Sequence, residues 1–101
     1  NGWVMDYNDA SNMLELFVST NGNNDGKYNS SAFDADIANS KVADSAAHFA
    51  ALHKAEKTMM EDYACIPVAY YNDFWLQKPE LKGVWHSPYG YWYFQYATLE
   101  K

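Results

Sequence analysis

Asn1-Gly2-Trp3-Val4-Met5-Asp6-Tyr7 places a carboxylate directly behind a short apolar, aromatic run. Residues 2–5 are expected to form a strand end, and Asn8-Asp9 breaks the chain before a helix. An acid at the mouth of a strand, framed by Trp3 and Tyr7, is suited to holding a cation. The segment opens the sequence without an initiator Met or a leader. The chain is therefore expected to be a piece of something longer, cut just before a functional element.

Outward from this segment, Ser11 to Val18 reads as a short helix, with Ser11 as its N-cap and Met13, Leu14, Phe17 and Val18 on one face. Residues 21–26 form a loop, and a helix starts near Ser31 with Phe33 and Ile37 as i, i+4 neighbours. The longest helix runs from about Asp44, its cap, to Tyr63. Its core stripe is Phe49, Leu52, Met59 and Tyr63, with Ala46 and Ala55 as small packing positions. Ile66 to Leu76 is β-rich, long and aromatic, with Pro67 near its start, where a missing N–H does least harm. Val84-Trp85 is a short strand, Ser87-Pro88-Tyr89-Gly90 a turn, and Tyr91 to Leu99 a final strand. The order is β-α-α-α-β-β, with a possible extra strand.

A chain of 101 residues is one domain or part of one and buries a modest core. Eighteen per cent of its residues are aromatic, more rings than a small soluble domain usually buries. Rings left outside face a ligand, a partner or a missing domain. Seven Lys, no Arg and 13 acids give a net charge of −6. Such a chain lacks the basic stripe that displaces counterions from DNA or RNA, so no nucleic-acid partner is expected. An anionic membrane surface is disfavoured for the same reason. Cys65 is the one cysteine, so no internal disulfide is possible, and its apolar setting suits a small buried hydrophobe.

Residues 21–32 imitate a calcium loop, with oxygen ligands at Asn21, Asn23, Asp25 and Asn29 and Gly26 at the sharp turn. The wording resembles a dockerin loop and would suit a calcium-dependent cohesin partner. Position 12, however, is Ala32 rather than an acid, and a solvated turn is the expected state. His48 and His53 are five apart and do not share a helical face as zinc ligands would. No nucleophile elbow, Cys-His dyad or phosphate cradle is present. Neither enzyme chemistry, a metal nor a cofactor is expected.

Several segments form an ordered series: Gly2-Trp3-x-x-Asp6-Tyr7-x-Asp9, Tyr28 to Asp34, Ala55-Glu56, Ile66-Pro67-Val68, and Lys78-Pro79-x-x-Lys82-Gly83. The series resembles the C-terminal region of the oligopeptide- and dipeptide-binding proteins of ABC importers, extracellular solute-binding family 5. The resemblance implies an α/β fragment of a periplasmic-binding-protein-like (type II) two-lobe fold, helices packed on a small mixed sheet. Residues 1–64 would belong to the C-terminal lobe. Residues 65–101 would supply a hinge-crossing strand and strands returning toward the first lobe. The fragment would expose rings that the missing lobes cover, and could self-associate.

The resemblance also implies the site: Asp6 anchors the α-ammonium of a bound peptide, Trp3 lines the cleft, Val4 offers backbone groups, and Tyr71 is a cleft tyrosine. The intact protein would be extracytoplasmic, periplasmic or a cell-surface lipoprotein of a bacterium, delivering peptides to an ABC permease. Two departures stand out: Ala10 replaces a Pro common after the Asp-Tyr-x-Asp motif, and Ala69 replaces an aromatic common in the hinge strand. Because ring-rich clefts also suit sugars, the open alternative is a carbohydrate-binding module or an oligosaccharide-binding member of the same family.

Overall fold

The computed structural model of the chain describes residues 2–42 and 44–100. It divides into two compact units: Met5–Val68 forms one, and the two chain ends, up to Val4 and from Ala69, form the other.

The first unit is helical. A short helix α1, Ser11–Leu14, runs into a 3-10 turn, Glu15–Phe17. Ser11 proves to be the first helical residue and not the cap. Ala10 is the N-cap and has no side-chain cap bond, while the Asp9 carboxylate, two residues before Ser11, accepts the Ser11 N–H at 2.8 Å. Helix α2, Ser31–Asn39, is capped by Ser30, whose hydroxyl accepts from the Phe33 N–H. Helix α3, Ser45–Glu61, is capped by Asp44, which accepts from Ala47 N–H at 2.7 Å as expected.

Leu14, Phe33, Ile37, Leu52, Ala55 and Met59 make the core, with Phe17, Val18, Tyr28, Ala64 and Cys65 packed around it. Helices α2 and α3 form an antiparallel hairpin, marked by polar ties at Asp36–Lys54 and Ser40–His48. Two members of the expected α3 stripe, Phe49 and Tyr63, and the small packing position Ala46 are corrected. Ala46 and Phe49 are exposed, because α2 ends beside His48 and reaches no further over them. Tyr63 is 82% exposed, because its backbone turns to φ +54° just past the helix end.

The loop after the 3-10 turn is not merely solvated. Asn24 is buried, donates to the Val18 and Tyr28 carbonyls, and accepts the Tyr28 N–H. The Asn21 side chain is also taken, donating to the Glu15 carbonyl and accepting from Asn23 N–H. These amides satisfy the turn's own backbone.

The second unit holds four two-residue strands: β1, Leu81–Lys82; β2, Trp85–His86; β3, Trp92–Tyr93; and β4, Thr98–Leu99. They pair antiparallel, β1 with β4 and β2 with β3, so the expected mixed sheet becomes two small antiparallel ribbons. The Ser87–Gly90 turn closes the β2–β3 hairpin as expected, with Gly90 N–H donating to the Ser87 carbonyl at 3.0 Å. The final strand expected over 91–99 is broken in two by a turn in which Ala97 N–H donates to the Phe94 carbonyl.

Two expected strands are absent. Residues 2–5 and 66–76 form no ladder among the described residues. A strand is stable only with neighbours on which to spend its N–H and C=O groups, and a lone extended segment has none. No helix among the described residues is long and apolar enough to cross a membrane.

Candidate functional site

Asp6 lies on an exposed bend that leads into α1. Its position is set by its own backbone: the Asp6 N–H donates to the Asn12 side-chain oxygen at 3.1 Å, and Asn12 is buried. Asn12 N–H in turn donates to the Asp9 carbonyl, and Asp9 N–H to the Tyr7 carbonyl. The Tyr7 hydroxyl lies 3.3 Å from that of Ser11. The bend is thus closed on itself by polar contacts, and the Asp6 side chain is directed to none of them. Among the described residues, that carboxylate has no ion-pair partner.

The other expected site residues fall in the second unit. Val4 is exposed, and among the described residues its N–H and C=O take no main-chain partner. Trp3 is 39% exposed. Tyr71 is fully exposed, within a segment that has no ladder. The four candidates are therefore divided, Asp6 in the helical unit and Trp3, Val4 and Tyr71 in the other.

The aromatic run near the end of the chain is not a single flat platform. Across the β2–β3 hairpin, His86 faces Trp92 with ring centres 4.3 Å apart, and Trp85 faces Tyr93 at 4.8 Å. Trp75 meets Trp92 edge-on at 5.1 Å. Trp75, Leu81, Val84, Trp92 and Phe94 line an apolar hollow of about 350 Å³.

Sequence reasoning missed a polar group that meets Asp9, three residues after Asp6. His48 of α3 places Nε2 2.9 Å from the Asp9 carboxylate and Nδ1 2.6 Å from the Ser40 carbonyl. The Ser40 carbonyl, followed by the Asp9 carboxylate, holds the imidazole's pKa above its ordinary 6.5. The Asp9 carboxyl is held below its ordinary 3.8, chiefly by its hydrogen bonds from Ser11 and further by His48. The Asp9-x-Ser11 spacing carried a signal for the local turn. Nothing in sequence marks the link to His48, 39 residues away.

Comparison with known proteins follows the same direction as the motif series. No family model matches the chain. The periplasmic oligopeptide-binding protein OppA of Salmonella typhimurium is 40% identical over 83 residues, covering 81% of this chain and 15% of that protein. The oligopeptide-binding protein OppA of Bacillus subtilis is 36% identical over 101 residues, covering 98% of this chain and 18% of that protein. The dipeptide-binding protein DppE of Bacillus subtilis is 32% identical over 90 residues, covering 88% of this chain and 17% of that protein.

These relatives define a class, that of solute-binding proteins. Over 81–98% of its length the chain is similar to these oligopeptide- and dipeptide-binding proteins. It spans less than a fifth of the length of the curated relatives it matches.

Proposed function

We propose that the chain is the C-terminal part of an extracytoplasmic peptide-binding protein that supplies an ABC permease, and that it performs no chemistry. The relatives' names support this reading: they are oligopeptide-, dipeptide- and murein peptide-binding proteins, several of them periplasmic. None is a sugar binder by name, so the carbohydrate alternative is not favoured.

In this reading Asp6 receives the peptide's α-ammonium. The observation that carries it is the exposed Asp6 carboxylate, without an ion-pair partner among the described residues, on a bend whose backbone is fixed through buried Asn12. A carboxylate carried on a held backbone meets an incoming ammonium with only its own side chain left to order. Val4, whose main-chain groups take no main-chain partner among the described residues, pairs with the peptide backbone as an added strand, a mode independent of peptide sequence. Trp3 and Tyr71 supply ring surface to the cleft. Residues 1–64 belong to the C-terminal lobe of a two-lobe fold, and residues 65–101 cross the hinge and return toward the first lobe. On this view the exposed 66–76 segment finds its ladder partners in the remainder of the protein.

The test is calorimetry on the intact protein with free and N-acetylated forms of one peptide. Acetylation and Asp6→Asn should each abolish most binding, since breaking a desolvated charge pair costs roughly 2–5 kcal/mol. Equal affinities for the two peptides would remove Asp6 from the anchor role.

A further inference from the structure

Ser40, His48, Asp9, Asn12 and Asp6 form one unbroken series of hydrogen bonds. The Ser40 carbonyl, at the end of α2, faces His48 Nδ1 at 2.6 Å, and the Asp9 carboxylate faces Nε2 at 2.9 Å. Both partners can only accept. A neutral imidazole carries a single N–H and therefore can satisfy one of them but not both. Its remaining lone pair would then point at an oxygen lone pair. Only the imidazolium, donating from both nitrogens, fits the observed geometry.

What His48 grips is the bend that carries Asp6. The other oxygen of the Asp9 carboxylate accepts the Ser11 N–H at the start of α1, and the Asp9 carbonyl accepts Asn12 N–H at 3.1 Å. The Asn12 side chain then accepts the Asp6 N–H. We propose that protonated His48 is a positioning residue for Asp6, a latch that holds the Asp6–Asn12 bend against the α2–α3 hairpin and slackens when the imidazole loses its proton.

The surroundings leave Asp9 as the controlling charge. From α2, the facing group is the neutral Ser40 carbonyl; Lys41 beyond it is paired with Glu15 at 3.3 Å. On α3 itself, Asp44 is occupied with the Ala47 N–H, and the Phe49 ring lies edge-on to His48 at 5.1 Å. The raised imidazole pKa has the sign that two acceptors impose. Proton loss must break one of two contacts, and the α2 end is part of the packed hairpin. The bend, exposed over residues 6–8, is the less packed of the two sides.

The inference deepens the reading of Asp6 as the peptide anchor and rests on it for its meaning in binding. It is tested without peptide, so the two can fail separately. NMR on the isotopically labelled protein should show both His48 ring nitrogens protonated below the His48 midpoint. The Asp6 and Ser11 amide resonances should shift along the same titration curve. In D9N the His48 midpoint should fall, and in H48Q the Asp6 amide should lose its inflection in that range. The wild-type titration stands even if a variant folds poorly. A singly protonated His48 ring at low pH, or Asp6 and Ser11 amides unmoved through the His48 midpoint, would overturn the proposal.

Discussion

Gly83 lies so close to Tyr96 that a Cβ at position 83 would overlap the Tyr96 carbonyl. The glycine also sits at φ +69°, a region that L side chains enter at a cost of about 1–2 kcal/mol. Both penalties act where β1 leads into β2, opposite the approach to β4. Gly83→Ala should therefore undo the β1–β4 pairing. Gly90, at φ +87°, has open space around its Cβ position and carries the backbone penalty alone. Near-ultraviolet circular dichroism, sensitive to the Trp75–Trp92 contact, should change more for Gly83→Ala than for Gly90→Ala. The reverse order would contradict the close approach.

Tyr63 closes α3 in a position that glycine usually occupies. Its N–H donates to the Met60 carbonyl, and Ala64 N–H reaches back to Met59, the two bonds of a Schellman ending. The ring is 82% exposed and contributes little packing within its unit. Tyr63→Gly should stabilise the helical unit by about 1 kcal/mol, read as a higher urea midpoint. A lower midpoint would mean that the ring packs on something in solution.

Asp36 is buried with one oxygen on Lys54 at 2.8 Å, while the other has no hydrogen-bond partner among the described residues. The ammonium is largely exposed, which weakens the attraction, but the carboxylate is not. Removing the ammonium strands a buried charge. Removing the charge does not. Lys54→Met should thus cost about 1–3 kcal/mol, and Asp36→Asn less, by chemical denaturation. Equal losses would show that the pair acts only as a neutral hydrogen bond.

How far the sequence reached depends on where each element finds its partners. Helix α3 was legible because its cap, Asp44, and its buried positions, Leu52, Ala55 and Met59, lie within one continuous segment. The ends of its stripe were not, because Phe49 and Tyr63 depend on where α2 stops and where the backbone reverses. The strand expected over 66–76 failed for a different reason: its composition is right, but a ladder is a property of two segments. Of the site, the motif series supplied Asp6, and the Asn12 bond that fixes its backbone emerged only in three dimensions. His48 drew notice as a metal-ligand candidate, whereas its two contacts make it a cross-link between elements.

The His48–Asp9 pair fixes how stability should respond to pH. His48 has a folded pKa above its ordinary 6.5, so its contribution is complete below 6.5 and is lost as pH rises through the raised folded value. Asp9 has a folded pKa below its ordinary 3.8, so its contribution is complete above 3.8 and is lost as pH falls through the lowered value. Between these limits both groups are charged and the contact is made. Urea midpoints measured across pH should therefore decline as pH rises from 6.5 through the raised His48 value and level off above it. H48Q should flatten that alkaline limb. D9N should shift the limb to lower pH, because His48 then keeps the Ser40 carbonyl but loses the carboxylate. A wild-type midpoint that does not change as His48 deprotonates would show that the pair contributes nothing to the fold.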